Sequence, residues 1–488
     1  MKQKLGRTFD FIVIGGGSAG YTAAAEAVKL GMRTALIEGA KELGGLCILR
    51  GCMPSKALIA SANRFRAIRS AGDFGIEVGG RPRFHPRRVV ARKRRLVEIF
   101  AKARREEIAS GGFALIRGWA CFLNSHTVRV TPPGGAPPQT FTAKSFLVAT
   151  GSYIPKPEIP GLAEIGYLTS DDLLDDQTLP ASVIVLGDGP VGLEAAHYYA
   201  AIGSRVTVVS KHSQVLNSVD RDVAAALARA LAKAGVEIIY HAKIESATKA
   251  AHGQKSVKLR IRGRAKSIHA DEVVFALGRK PCVETLGLKA AGVELDEASH
   301  IVANEQQRTR CRHIFAAGDV CGPFEILHLA VRQGSIAARN AARQLGRLPG
   351  RSESMDYRMK LTALFTEPQV AVLGLTEKKA RDDKIAIRVA SYDFSEEGRA
   401  QIEGKTEGFA KLICEAKSGK LLGAAIVGPS AAELIHEMVA VLHFGGSVET
   451  IAALPHYHPT LSEIWTFPAE ELSERVPRRR AHSARSTP

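Results

Sequence analysis

The stretch FDFIVIGGGSAGYTAAAEAVKLGMRTALIEGA, Phe9–Ala40, decides the fold of this 488-residue chain. A short apolar run leads into Gly15, Gly17 and Gly20, spaced G-x-G-x-x-G, and an alanine-rich segment follows. A second apolar run ends on Glu38, 23 residues after Gly15. This order predicts a strand, a tight turn whose helix N terminus accepts a pyrophosphate, and a second strand whose acid binds a ribose 2′-hydroxyl. Because the glycines come with both strands, the helix and the acid, the stretch predicts a dinucleotide-binding fold.

The same pattern recurs in ASVIVLGDGPVGLEAAHYYAAIGSRVTVVSKHS, residues 181–213, with Gly187, Gly189 and Gly192. The position of the acid, 23 residues after the first glycine, is now Ser210, and Lys211 and His212 follow. A neutral or basic strand end suits a 2′-phosphate and favours NADP(H). Gly192 at the third glycine position is common in NAD(H) sites, so both coenzymes stay open.

Two cysteines, Cys47 and Cys52, stand close together in GGLCILRGCMPSK, residues 44–56. The seven cysteines of the chain are too few and too scattered for a disulfide framework. No second C-x2-4-C segment supplies further zinc ligands, so no metal site is predicted. Two dinucleotide sites suggest electron transfer between a nicotinamide and a flavin, and a dithiol beside the flavin gives the electrons a destination. We therefore expect Cys47 and Cys52 to be a working redox pair.

Length and charge limit the other classes of protein. A chain of this length is expected to form three or four packed units. It begins with no apolar secretion core and has no window of 18 apolar residues, which predicts a cytoplasmic protein that does not span a membrane. Of the net charge of +18, a basic block at 81–105 and a tail from Arg475 supply 15. The block has near-helical apolar spacing and predicts a surface helix with a solvated basic face, and nothing resembles an RNA-binding signature. Nucleic acid is therefore not an expected partner.

With these motifs in place, the chain resembles the pyridine nucleotide–disulfide oxidoreductases from about residue 9 to 474. The cysteine segment resembles the family motif GGTCxNxGCxPSK. Further matches in the family's order are VATGS (148–152), FALGRKP (275–281), IFAAGDV (314–320), FTEPQVAVLGLTE (365–377) and HPTLSE (458–463). Leu46, Leu49 and Arg50 depart from the pattern, and the two leucines replace polar flavin-side contacts with apolar groups.

The resemblance implies an α/β fold with two Rossmann-like, three-layer ββα dinucleotide-binding domains and a C-terminal α+β dimerisation domain. The second nucleotide domain is inserted in the first. The expected limits are 1–155 and 282–355 for the FAD-binding domain, 156–281 for the NAD(P)-binding domain, 356–475 for the interface domain and 476–488 for a disordered basic tail.

The resemblance also assigns the catalytic roles. Pro54 suits the first turn of a helix, which would place Cys52 at its positive end and lower the pKa of the thiol. Cys52 would then face the flavin, and Cys47 would be the interchange thiol that forms the mixed disulfide. His458 would handle the departing proton, oriented by Glu463, and would act on the redox pair of the other subunit of an obligate homodimer.

The implied cofactors are FAD and either NADP or NAD. Lys56 and Glu194 would flank the flavin N5, and Asp319 would hold the ribityl chain. The remaining cofactor contacts would be Gly15, Gly17, Ser18, Ala19, Gly20, Glu38, Gly45, Gly118, Thr150, Gly151, Gly187, Gly189, Pro190, Val191, Gly192, Ser210, Lys211, Gly278, Leu327 and His328.

Several functions stay open at this point. The absence of a C-terminal cysteine pair and of a GMTCxxC domain argues against mercuric reductase and for a dihydrolipoamide dehydrogenase-like enzyme acting on a small dithiol or disulfide. Such an enzyme would have a 2-oxo acid dehydrogenase complex as a further partner. An NADPH-dependent disulfide reductase of the glutathione reductase kind is the alternative within the family. The alternative of another class is a binding component that docks through the basic block at 81–105.

Overall fold

The computed structural model describes residues 7–477, which form 21 strands and 14 α-helices joined by loops and short 3-10 turns. The strands are β1 Thr8–Ile14, β2 Thr34–Glu38, β3 Ala114–Arg117, β4 Trp119–Asn124, β5 Thr127–Thr131, β6 Gln139–Val148, β7 Ser152–Tyr153, β8 Ser182–Leu186, β9 Arg205–Val209, β10 Val236–Ile239, β11 Ala242–Lys249, β12 Lys255–Ile261, β13 Arg264–Ala270, β14 Glu272–Phe275, β15 Lys280–Pro281, β16 Ile314–Ala316, β17 Leu361–Leu364, β18 Gln369–Gly374, β19 Ile387–Asp393, β20 Phe409–Glu415 and β21 Leu421–Gly428. The helices are α1 Ser18–Lys29, α2 Gly45–Arg50, α3 Cys52–Arg69, α4 Pro86–Ser110, α5 Leu162–Ile165, α6 Ser170–Leu173, α7 Pro190–Ile202, α8 Arg221–Lys233, α9 Leu327–Gln344, α10 Glu377–Asp382, α11 Gly398–Ile402, α12 Ala431–Phe444, α13 Val448–Ala452 and α14 Thr466–Arg475. Among residues 7–477, none of these helices combines the length and the apolar character that a bilayer crossing requires.

The first nucleotide fold is built on a seven-stranded sheet in the order β3-β2-β1-β6-β5-β4, with β16 also paired to β6. Strands β3, β2, β1, β6 and β16 run parallel, and β4 and β5 continue as an antiparallel meander. The apolar run of β1 is buried on both faces, as expected for a covered parallel strand. Helices α1 and α9 pack on one face, and the meander packs on the other.

The second nucleotide fold interrupts the first, because its strands lie between β6 and β16 in the sequence. Its parallel sheet has the order β10-β9-β8-β14, and a separate antiparallel meander, β11-β12-β13, covers one face. Helices α7 and α8 cover the other face. A two-stranded ribbon of β7 and β15 pairs the two crossings between the folds, close to the expected limits at 155 and 281.

The third unit is a five-stranded antiparallel sheet in the order β17-β18-β21-β20-β19, packed against α12 and α14. Trp465 is completely buried in this core, and its indole N–H donates to the carbonyl oxygen of Leu434 at 3.1 Å. Val476 is 4% exposed and belongs to the same core. The sequence predicts that the disordered tail begins at 476; of it, residues 478–488 lie outside the described residues. The fold class is therefore the predicted one: two nucleotide folds, the second inserted in the first, and an α+β domain.

The basic block predicted at 81–105 forms most of α4, which starts at Pro86. Its basic face is partly engaged in the fold. Lys93 is 4% exposed and donates to Asp175 at 2.8 Å, and Arg94 donates to the same carboxylate at 2.8 Å. The Arg92 guanidinium donates to the backbone carbonyl oxygen of Ala57 at 3.3 Å. The helix is thus held against its neighbours by several of the cations that the sequence places on a solvated face.

Lys411 on β20 connects the second nucleotide fold to the interface domain. Its side chain is 1% exposed, and the ammonium donates to Asp220 and Asp222 at 2.9 Å and to Glu377 at 2.8 Å. Asp220 also accepts the backbone N–H of Glu377 and of Lys378 at 3.2 Å. Hydrogen bonds to the three carboxylates outweigh the burial of the ammonium, so the pKa of Lys411 is raised. This cluster fixes α8 against β20 and α10.

We expect Lys411→Met to destabilise the protein by about 3 kcal/mol, because it leaves partly buried carboxylates without their cation. The measurement is denaturant unfolding followed by tryptophan fluorescence, since Trp465 is one of two tryptophans and reports on this domain. Lys378→Met is the matched control, because Lys378 is exposed and lies beside the same cluster. Equal midpoints for the two variants would contradict the expectation.

Candidate active site

A cavity of about 1170 Å³, called here the flavin cavity, opens at the carboxyl ends of β1 and β2. It collects residues that lie far apart in the sequence. The predicted site residues that line it are Gly15, Gly17, Ser18, Ala19, Glu38, Gly45, Cys47, Cys52, Gly118, Thr150, Gly151, Asp319 and Leu327. His328, the next residue of α9, is exposed and does not line it.

The glycine loop of the first fold leaves room for a phosphate group. A Cβ atom on Gly20 would lie 1.8 Å from the carbonyl oxygen of Gly15, so only glycine permits this contact between helix and strand. A Cβ on Gly17 would meet no atom within 4 Å, which leaves the N terminus of α1 open. Gly45, with φ +71°, brings the start of α2 against Gly17, where an added Cβ would lie 2.7 Å from its Cα. The site therefore fits the pyrophosphate of FAD at the N terminus of α1.

The ribose end of the cavity is set by Glu38. Its carboxylate accepts the backbone N–H of Gly16 and of Ala40, each at 2.8 Å. These two hydrogen bonds hold the acid at the end of β2, where the sequence places the ribose contact. Trp119, which no sequence motif predicts as a site residue, also lines this cavity and is 59% exposed.

Asp319 belongs to a hydrogen-bonded group that is only partly evident from the sequence. Ser152 donates to the Asp319 carboxylate at 2.6 Å. The Arg279 guanidinium donates to the hydroxyl and the carbonyl oxygen of Ser152 at 2.8 and 2.9 Å. Ser152 is the last residue of VATGS and Arg279 lies within FALGRKP, so the motifs contain both residues although their contact is visible only in the structure. Together they fix the carboxylate expected to hold the ribityl chain.

The redox pair lies at the junction of two helices, with Cys47 in α2 and Cys52 as the first residue of α3. Both are free thiols, and Cys52 is the more exposed. A hydrogen bond from the Cys47 thiol, with the nearby Lys56 ammonium, lowers the pKa of Cys52 to about 7, while the same hydrogen bond raises the pKa of Cys47. Because only a thiolate attacks disulfides or leaves readily from one, Cys52 is the reactive thiolate of the reduced pair near neutral pH.

Lys56 and Glu194 form the ion pair that the family resemblance implies. The Lys56 ammonium donates to both oxygens of Glu194 at 2.8 Å and lies 4.8 Å from the centre of the Phe365 ring. Glu194 is 8% exposed and also accepts the backbone N–H of Phe365 at 3.1 Å. The pair joins α3 of the first fold to α7 of the second.

We expect Lys56→Met to raise the pKa of Cys52 by about 1, because the variant removes a cation and leaves the Glu194 carboxylate nearby. The pKa is measured as the pH dependence of thiol alkylation and of thiolate absorbance in the reduced protein. Lys41→Met is the control, since Lys41 lines the flavin cavity but does not act on Cys52. An unchanged midpoint in the Lys56 variant would refute the role of this ammonium.

His458 stands apart from the thiols of its own chain. Its side chain is 78% exposed, and its Nδ1 lies 2.9 Å from Glu463 Oε1. The Glu463 carboxylate also accepts the backbone N–H of Thr460 at 2.9 Å, and these contacts lower the pKa of the acid. His458 does not line the flavin cavity of its own chain. Phe444 and Tyr457, 85% and 83% exposed, share this unit with the histidine, as expected for a surface that a second chain covers.

The second glycine loop repeats the first in outline. Gly189 precedes α7, and a Cβ there would meet no atom within 4 Å. The other predicted residues of this loop lie at its turn or at the start of α7: Gly187, Pro190, Val191 and Gly192. Gly278, with φ +114°, follows β14, and Lys211 is exposed. The sequence predicts that Ser210 faces the coenzyme, whereas its hydroxyl is completely buried and donates to Asp188 at 2.6 Å.

Two glycine loops, a cavity shaped for a flavin dinucleotide and an activated thiol pair define a flavin- and nicotinamide-dependent oxidoreductase. Comparison with known proteins leads to the same class. The pyridine nucleotide-disulphide oxidoreductase pattern matches residues 9–334, and the pattern of that family's dimerisation domain matches residues 361–468. The chain belongs to the pyridine nucleotide-disulphide oxidoreductase family. It is therefore an FAD-dependent enzyme that uses NAD(P), and its dimerisation domain supports a homodimer.

Three similar proteins show the breadth of this family. The dihydrolipoyl dehydrogenase of Thermus scotoductus is 33% identical, with 96% of this chain and 98% of the relative covered. The mercuric reductase of Bacillus cereus is 31% identical over 93% of this chain and 70% of its own length. The HOCl-induced flavoprotein disulfide reductase RclA of Escherichia coli, solved as a Cu(II) complex, superposes with a TM-score of 0.82 at 27% identity, covering 95% of this chain and 99% of RclA.

Proposed function

We propose that this protein oxidises a small dithiol of the dihydrolipoyl kind with a nicotinamide coenzyme as acceptor, through Cys47 and Cys52. The observation that carries the proposal is the redox pair in the wall of the flavin cavity, with the pKa of Cys52 lowered to about 7. Full-length similarity to dihydrolipoyl dehydrogenases supports the substrate class.

The proposed exchange uses the redox pair in its disulfide form. A substrate thiolate attacks Cys47, a mixed disulfide forms, and Cys52 leaves as a thiolate. The second substrate thiolate then attacks the substrate sulfur bound to Cys47, releasing the oxidised substrate and leaving both cysteines reduced. FAD, held by the glycine loop, Glu38 and Asp319, would supply a two-electron carrier between these thiols and the nicotinamide coenzyme.

Proton handling is assigned to His458. Its imidazole accepts the proton of an incoming substrate thiol and returns it when the exchange runs in the other direction. The hydrogen bond from Nδ1 to Glu463 leaves Nε2 free to act as the base and stabilises the charged ring that results. Because the ring is exposed and lies outside its own flavin cavity, we assign it to the redox pair of the partner subunit.

The decisive experiment starts with the absorbance spectrum of the purified protein before and after addition of NADH or NADPH. A flavin spectrum bleached by a coenzyme supports the electron path. Turnover of dihydrolipoamide with NAD⁺ is then compared with turnover of a panel of disulfides with NADH and NADPH. Failure to oxidise dihydrolipoamide would refute the proposed substrate class, and a colourless protein as purified would refute catalysis through a flavin.

A disulfide reductase is the second candidate function, supported by two observations. Leu46 and Leu49 put apolar groups next to the thiols, where the family motif has polar residues. The structural likeness to RclA, a flavoprotein disulfide reductase, covers nearly the whole chain. Reduction of a disulfide faster than oxidation of dihydrolipoamide, in the panel above, would favour this candidate.

We also propose that the substrate dithiol is presented by a 2-oxo acid dehydrogenase complex, as the similarity to dihydrolipoyl dehydrogenases suggests. The alternative of a pure binding component gains little support from the structure. Two of the cations expected to dock a partner, Lys93 and Arg94, are engaged with Asp175 in the same chain. Salt-sensitive binding that is lost on neutralising Arg92 and Arg95 would test the basic helix directly.

A further inference from the structure

The second glycine loop contains a carboxylate whose position is not visible from the spacing of the motif. Asp188 lies between Gly187 and Gly189 and is 7% exposed. It accepts the Ser210 hydroxyl at 2.6 Å, and the His212 Nδ1 lies 3.1 Å from the same carboxylate. The backbone N–H of His212 donates in turn to the Ser210 hydroxyl at 3.0 Å. The acid is thus held at the end of β9 by two side chains of the segment that follows this strand.

The first glycine loop shows where a side chain at the position of Asp188 points. There the residue between the glycines is Gly16, and the acid at the strand end is Glu38. A Cβ atom on Gly16 would lie 3.0 Å from Glu38 Oε2, so a side chain at this loop position points to the place of the strand-end carboxylate. In the second fold, Asp188 occupies the loop position and Ser210 the strand end. Both folds therefore place one carboxylate between the glycine loop and the strand end. The strand end supplies it in the first fold, and the glycine loop supplies it in the second.

We propose that Asp188 selects the coenzyme of the second fold and favours NAD(H) over NADP(H). The inference rests on the nicotinamide half of the proposed function and is independent of the dithiol substrate. This reverses the preference for NADP(H) that Ser210, Lys211 and His212 suggest from the sequence. That prediction considered only the end of the strand and did not include Asp188 in the glycine loop.

The chemistry of the adenosine ribose supports this assignment. A fixed carboxylate accepts a hydrogen bond from a 2′-hydroxyl, as the acid of a nucleotide fold does. A 2′-phosphate carries between one and two negative charges near neutral pH, and a carboxylate that faces it repels it. Lys211 is exposed and leaves this buried arrangement unchanged.

The test is calorimetric titration of the oxidised, FAD-loaded homodimer with NAD⁺ and with NADP⁺, which needs no turnover. We expect the wild type to bind NAD⁺ at least about tenfold more tightly, equivalent to about 1.4 kcal/mol. Asp188→Asn should lower the ratio of the two dissociation constants by about tenfold, since it keeps the shape and removes the charge. The double variant D188G/S210E transplants the arrangement of the first fold and should restore the preference for NAD⁺. D188G alone should not restore it.

The matched control is Glu237→Gln, which removes an exposed carboxylate from β10 of the same domain and should leave the ratio unchanged. A wild type that prefers NADP⁺, or an Asp188→Asn variant with the wild-type ratio, would overturn the role of Asp188 alone. A protein that binds neither coenzyme, although it contains FAD, would instead overturn the nicotinamide half of the proposed function as well. Unchanged melting temperatures of the variants show that binding losses are not losses of folding.

Discussion

Cys47→Ser is expected to lower turnover between dithiol and coenzyme by at least about 10³-fold, because it removes the thiol that is assigned to form the mixed disulfide. The thiol of Cys52 stays in the flavin cavity in this variant and keeps the Lys56 ammonium beside it. The protein should therefore retain FAD, accept electrons from the coenzyme and show the long-wavelength absorbance of a thiolate next to a flavin. Steady-state turnover and the visible spectrum measure the two halves of this expectation separately.

Cys121→Ser is the control for this variant, because Cys121 is a half-buried free thiol outside the redox pair. It should keep the turnover of the wild type. Cys52→Ser should abolish turnover as Cys47→Ser does, but without the long-wavelength band. If the band survives in Cys52→Ser and disappears in Cys47→Ser, the roles of the two cysteines are reversed.

His458→Gln is expected to lower turnover by about 10²–10⁴-fold, the usual range for loss of a general base. A second experiment shows which chain the base serves. A heterodimer of one Cys47→Ser chain and one His458→Gln chain should regain about half of the wild-type turnover, since a homodimer has two equivalent sites. The Cys47→Ser chain still supplies an intact His458, and the His458→Gln chain still supplies an intact redox pair.

The heterodimer is obtained by co-expression of the two chains with different tags and purification on both. If His458 acts on the thiols of its own chain, each site of this heterodimer is defective, and the preparation stays as inactive as either parent. Glu463→Gln is the graded control: it keeps the imidazole and weakens its orientation, so its turnover should fall between those of the wild type and His458→Gln.

The fold was accessible from the sequence because its main signals are local. Each glycine loop, with the strand before it and the helix after it, specifies its own conformation within about 30 residues, as in other nucleotide folds. The redox pair, Lys56 with Glu194, and His458 with Glu463 were accessible through the family motifs.

The contacts that the sequence did not disclose join residues distant in the chain. Asp188 meets Ser210 across 22 residues, Ser152 meets Asp319 across 167, and Lys411 meets Asp222 across 189. Counting 23 residues from the first glycine leads to Ser210 and predicts that the second fold lacks the acid. The count does not consider the residue in the facing glycine loop, which is Asp188. No pattern in the sequence predicted that Trp119 lines the cavity; it is a single aromatic residue after Gly118.

The Lys411 cluster and the Lys56–Glu194 pair have a joint consequence for motion. One anchors the coenzyme-binding unit to the interface domain, and the other anchors it to the FAD-binding unit, both through poorly hydrated charges. An outward rotation of the coenzyme-binding unit would separate these partly buried ion pairs. This separation would cost free energy in every turnover. Coenzyme exchange is therefore expected to proceed by small side-chain displacements within a stationary scaffold, and immobilising the units by cross-links should hardly slow it.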